Sequence, residues 1–71
     1  MTLASNIAVT RKAKNLSQEE LAEMVNVNQA FISQVERGLR IPTVAMLEQI
    51  ADVFDCSLDY LVGRTKNHAE K

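Results

Sequence analysis

The chain is poor in the residues that carry chemistry. It has one cysteine and one histidine, so an internal disulfide and metal-finger spacing are both ruled out. Cys56 reads as a small buried hydrophobe in a reducing compartment, and His68 as a solvated side chain without a nearby partner. There is no glycine-rich phosphate loop and no acid–base pair at helical spacing in a plausible cleft. A chain of 71 residues also leaves little room for a substrate pocket. Together these absences argue against an enzyme, and nothing calls for a metal or other cofactor. Tryptophan is absent, aromatics are 4% of the chain, and there are two glycines and one proline, which suits an all-helical protein. The longest uncharged run near the start, Met1 to Thr10, is short and mixed. It makes neither a signal peptide nor a membrane span, so the chain reads as cytoplasmic.

What remains is ordinary in bulk and unusual in its distribution. At 46% hydrophobic and 24% charged, the composition is globular. One small domain over residues 1–63 is expected, followed by a polar, frayed tail over 64–71. A domain this size buries about 60% of the surface its unfolded chain exposes, so a second copy would help folding as well as function. Net charge is −1, where a nucleic-acid binder is ordinarily basic. Residues 1–42 hold five bases and four acids, 43–63 four acids and no base, and 64–71 three bases and one acid. A mildly basic front and an acidic back still permit an oriented binder. Its non-specific affinity would be weak, because that rests on Lys and Arg at phosphates.

The informative stretch runs from Ser17 to Gly38, SQEELAEMVNVNQAFISQVERG. Ser17 with Glu20 three residues on forms a capping box, and Leu21, Ala22 and Val25 share one face of the helix it starts. Asn26 falls where the chain turns sharply, and asparagine tolerates the left-handed conformation. Asn28 caps a second helix, Ile32 and Val35 point inward, and Gly38 stops it. Two helices joined by so short a turn form a helix-turn-helix. The opposite face of the second helix shows Gln29, Ala30, Ser33, Gln34 and Arg37. A glutamine amide can bond bidentately to the N6/N7 edge of adenine, and small Ala30 and Ser33 allow close approach to base edges. Gln18 is placed to donate to a phosphate. A solvated helix face explains any one of these residues; the set points to DNA.

The chain resembles the phage repressor and Cro helix-turn-helix family, often called the Xre family, over nearly its whole length. The matching residues are Arg11, Ser17-Gln18-Glu19-Glu20-Leu21-Ala22, Val27-Asn28-Gln29, Ile32-Ser33, Glu36-Arg37-Gly38, Pro42, Ile50-Ala51 and Ser57-Leu58-Asp59-Tyr60-Leu61. The resemblance implies an all-α, compact five-helix lambda-repressor-like domain with its third helix in the major groove. It also implies an internal ion pair between Arg11 and Glu36. Phosphate contact is the alternative role for Arg11, compatible with the first. Thr10 departs from the family, where an apolar residue is usual.

The first helix is expected over roughly residues 3–14, with Leu3, Ile7 and Thr10/Arg11 on one stripe and Asn15 as its stop. Phe31 lies at the edge of the inward stripe and is read as packing. Pro42 ends the connector Leu39–Pro42, and Thr43 caps a fourth helix over about 44–54. There Val44, Leu47, Ile50, Ala51 and Phe54 recur at three and four. Its outer Glu48 and Asp52 would repel phosphate and should face away from DNA. Asp55 turns the chain and Ser57 caps a short fifth helix, Leu58–Val62, ending at Gly63. Leu58 and Leu61 belong to the core, which leaves Tyr60 and Val62, with Met46, as a patch for a second subunit.

Two functions follow. The first is a sequence-specific transcriptional regulator, a repressor or autoregulatory controller, binding a near-palindromic double-stranded DNA operator as a homodimer. Base contacts fall to Gln29, Ala30, Ser33 and Gln34, and phosphate contacts to Gln18, Arg11, Asn28, Arg37 and Arg40. RNA polymerase is a candidate partner for the acidic back half. The second is an antitoxin-like or anti-repressor module whose main target is a protein.

Overall fold

The computed structural model describes residues 2–63; the expected tail 64–71, His68 included, lies outside them. Five helices follow one another, α1 (Leu3–Ala13), α2 (Gln18–Met24), α3 (Gln29–Glu36), α4 (Val44–Phe54) and α5 (Leu58–Leu61). No strand occurs among the described residues, and none of their helices is long and apolar enough to cross a membrane.

Local chemistry explains the boundaries. Thr2, Ser17, Asn28, Thr43 and Ser57 each precede a helix, and each side chain accepts from the backbone N–H three residues on. One of the orphan donors that every helix start leaves is thereby satisfied. Ser17 and Glu20 complete the reciprocal capping box. The first four helices end alike, with a residue at positive φ: Asn15 (61°), Asn26 (65°), Gly38 (77°) and Asp55 (56°). The next N–H then closes back to a carbonyl five residues earlier, as in Leu16 N to Arg11 O at 3.1 Å and Val27 N to Ala22 O at 2.9 Å. This is the Schellman stop. Three of the four positions use Asn or Asp, which is how the chain folds with so little glycine. α5 ends one residue sooner than expected, with Val62 as its cap.

The core forms where the inward faces meet: Ile7, Leu21, Ile32, Ile50, Phe54 and Leu61 are each fully buried. α2 and α3 pack on one another, α1 lies against α3, and α5 closes against α1 and α4. The unusual face is that of α1. Its buried residues are Asn6, Ile7, Thr10 and Arg11, three of them polar. Burying polar groups is costly unless they are bonded, and each of these has a partner from another part of the chain. Asn6 Nδ2 donates to Leu61 O at 3.0 Å and to Tyr60 O at 3.3 Å, satisfying carbonyls at the end of α5. Thr10 makes a long 3.5 Å hydrogen bond to the Tyr60 hydroxyl, which gives the polar residue at this position its purpose. Among the described residues no buried side-chain nitrogen or oxygen lacks a partner.

This seam changes the reading of α5. Tyr60 is half-buried and engaged with α1, and Met46 is half-buried against the core. Only Val62 of the expected subunit patch, at 36%, ranks with the exposed large apolar side chains. The most exposed of those lie elsewhere, at Ile41 (88%) and Leu39 (65%) in the segment joining α3 to α4, and at Val44 (64%), which opens α4 and stays outside the buried stripe expected to include it. The connector must run over the surface to reach α4, and it carries Leu39 and Ile41 out with it.

Candidate nucleic-acid interface

The outward face of α3 follows from its inward one. Ile32 and Val35 are buried to 0% and 1% exposure, so the helical period turns Gln29, Ala30, Ser33, Gln34 and Arg37 away from the core. Gln29, Ala30 and Arg37 are exposed, and Ser33 and Gln34 are half-buried. The two glutamines and the two small residues therefore share one face.

Behind that face runs a chain of polar contacts. Arg11 Nε donates to Glu36 Oε2 at 2.6 Å and its Nη2 to Glu36 Oε1 at 3.1 Å, a bidentate pair whose side chains are only 10% and 5% exposed. Arg11 Nη1 donates to Leu16 O at 2.7 Å. All three guanidinium nitrogens are thus directed at internal acceptors, and the expected phosphate role of Arg11 is withdrawn: a buried, bidentate guanidinium is not available to a groove. Glu36 is the one acid of α3. Neutralised and buried, it leaves the outer face free of accessible carboxylate.

The carboxylate also orients what lies beyond it. An ionised carboxylate only accepts, so Gln18 must turn its amide nitrogen inward, and Nε2 donates to Glu36 Oε1 at 3.0 Å. Its oxygen then faces outward and accepts from Gln29 Nε2 at 3.2 Å. Gln29 keeps one N–H and its carbonyl for a ligand, the donor–acceptor pair that matches adenine. Gln18 keeps one N–H for a phosphate. Asn28 spends Oδ1 on the cap, accepting from Phe31 N at 2.9 Å, and its Nδ2 donors remain.

Arg40 is the surprise. Expected at a phosphate, it donates Nε to Gln34 Oε1 at 2.9 Å, and its guanidinium carbon lies 5.3 Å from the centre of the Phe31 ring. Phe31 thus serves as a platform for this arginine as well as packing against the core. The signal available in the sequence was the i, i+3 spacing of Phe31 and Gln34, which places them side by side. Their link to Arg40 needs the fold.

A helix-turn-helix family model matches residues 7–61. The chain belongs to this family. Its relatives are phage repressors and Xre-type transcriptional regulators rather than enzymes. The uncharacterised helix-turn-helix-type regulator YazB of Bacillus subtilis is 34% identical over 60 residues, covering 84% of this chain and 87% of YazB. The immunity repressor of Bacillus phage phi105 is 30% identical over 63 residues, which are 89% of this chain and 44% of the repressor. Against some curated relatives, then, the chain spans less than half their length. Among solved structures, the P22 c2 repressor in complex with a synthetic operator superposes with a TM-score of 0.85 at 31% identity, covering 92% of this chain and 98% of that one. The complex of the SinR and SinI proteins gives 0.82 at 30% identity, covering 97% and 72%.

Proposed function

We propose that this protein is a sequence-specific double-stranded DNA-binding transcriptional regulator, a repressor or autoregulatory controller, working in the cytoplasm. The observation that carries the reading is the outer face of α3, where glutamines and small residues stand together and the helix's acid is locked away behind them. α3 enters the major groove. Gln29 reads a base edge with Ala30, Ser33 and Gln34 beside it, and Gln18, Asn28 and Arg37 engage phosphates. The P22 c2 repressor, so similar in fold, was solved on an operator, which supports this docking. Glu48 and Asp52 of α4, both exposed, face away from the duplex.

The described residues hold one recognition helix, and their longest dimension is 29 Å. Half-sites of a two-fold operator lie about 34 Å apart, one turn of duplex, so a near-palindromic site calls for two copies. The homodimer contact is assigned to a patch centred on the exposed Val62, with the half-buried Tyr60 and Met46 at its edge. Selection of randomised duplex DNA by the purified protein tests both points. An enriched motif with half-sites about 10 base pairs apart is the expected result. Folded protein that enriches nothing would overturn the reading.

A second reading, an anti-repressor or antitoxin-like interaction module, draws on the exposed Leu39, Ile41 and Val44 and on the structural match to SinR, which was solved with SinI. It requires binding to random duplex that stays flat as salt rises, together with a co-purifying protein. Phosphate engagement instead predicts a steep fall.

A further inference from the structure

Arg40 and Gln34 present a chemistry that neither has alone. Arginine has five N–H donors and no acceptor, so the amide atom of Gln34 facing it at 2.9 Å has to be the oxygen. That choice fixes the sense of the Gln34 amide. One carbonyl lone pair is taken and polarised by a cation, and both Nε2 hydrogens are turned outward. The guanidinium adds its remaining donors alongside. The stack over Phe31, 5.3 Å from the ring centre, lies within the roughly 6 Å range of cation–π attraction, so a second contact holds the arginine in place. Both Phe31 and Gln34 lie on α3, one turn apart, and Arg40 lies across them from the connector.

Resting on the reading of α3 as the base-reading helix, we infer that Arg40 is a specificity-determining residue that acts with Gln34 as a donor-rich reading head favouring guanine. In the major groove guanine offers two acceptors, O6 and N7, whereas adenine offers N7 together with an N6 amino donor. That amino group would meet a carbonyl with one lone pair taken and the other weakened as an acceptor, and made crowded, by the same cation. Gln29 differs from Gln34: its partner is the neutral Gln18, which accepts from it, so its own carbonyl stays open. The two glutamines of α3 are therefore polarised in opposite senses by the charged groups behind them, Gln29 through Gln18 by the Glu36 carboxylate and Gln34 directly by Arg40. They select different bases.

The test compares wild type, Gln34→Ala, Arg40→Ala, Arg40→Lys and the Gln34→Ala/Arg40→Ala double variant by selection on randomised duplex, then by titration of duplexes differing at one base pair. Arg40 is exposed and outside the helices, and unchanged helicity by circular dichroism confirms each fold. The base pair whose preference is flattened by Gln34→Ala should be a G·C pair in the wild-type motif. Arg40→Ala should lower the guanine-over-adenine preference there by about tenfold. The double variant should lose no more preference than either single one. Arg40→Lys should restore general affinity but not the guanine preference, because an ammonium lacks the planar fork. Two results would overturn the inference. One is a wild-type preference for adenine at that base pair. The other is an Arg40→Ala variant weakened equally on every duplex, with its salt dependence reduced by one phosphate contact. If wild-type protein selects no motif at all, the DNA-binding reading itself fails and takes this inference with it.

Discussion

Replacing Arg11 by methionine should nearly unfold this domain, although the sequence made Arg11 a candidate for the DNA surface. The substitution leaves the Glu36 carboxylate, 5% exposed, with only the Gln18 amide as a donor. Breaking a buried ion pair from one side costs about 3–5 kcal/mol, because the remaining charge stays desolvated. Leu16 O also loses its donor, at a net cost of about 1 kcal/mol. A chain of this length has a total stability of about 4–11 kcal/mol, so the loss takes a large share of it. For a domain this small each kcal/mol moves the melting temperature by about 4–8 °C, which puts the expected drop at about 12 °C or more. The double variant Arg11→Met/Glu36→Met removes both charges, lets the half-buried Gln18 turn to water, and fills the site with apolar groups of similar length. It should be more stable than either single variant. Thermal melts followed by circular dichroism, with urea titrations of all four proteins, make the double-mutant cycle. A drop of less than about 4 °C for Arg11→Met would mean the pair behaves as a surface pair. A double variant no better than Arg11→Met would equally refute the reasoning.

The polar seam between α1 and α5 makes Asn6→Ala destabilising by about 1–3 kcal/mol, since two carbonyls at the end of α5 lose a donor; urea denaturation reads this directly. At Asn26, held at φ 65°, alanine should cost about 1–2 kcal/mol while glycine is tolerated, and the two melts compared isolate the backbone effect from any contact. Gln29→Ala should lower discrimination at one base pair of the selected motif by about 1–3 kcal/mol, measured on duplexes differing only at that position.

Most helix boundaries were legible because their causes are local. A cap reaches three residues forward and a left-handed stop closes over six, so Ser17, Asn28, Thr43 and Ser57, with Asn15, Asn26, Gly38 and Asp55, announce themselves in the chain. Thr2 obeys the same rule, and its cap could have been read the same way. The period of Ile32 and Val35 was likewise enough to turn Gln29, Ala30, Ser33 and Gln34 to one side. The polar face of α1 was only half legible. Leu3, Asn6, Ile7, Thr10 and Arg11 have helical spacing, but a stripe with three polar members does not look like a buried one.

Where the helices lie and which face of α3 turns outward are thus written in the chain, because they depend on neighbours within a turn or two. Which polar groups meet depends on the packing of distant segments. Asn6 finds its carbonyls 54 and 55 residues away, and Arg11 finds Glu36 at a separation of 25. Those pairings withdraw Arg11 from the surface and draw Tyr60 inward. Arg40 reaches Gln34 and Phe31 only because the connector doubles back over α3 after Gly38. Hydrogen-bond donors and acceptors carry no address in the chain. A cap is satisfied by whatever stands three residues on, whereas a guanidinium is satisfied by whichever acceptor the packed core brings within 3 Å.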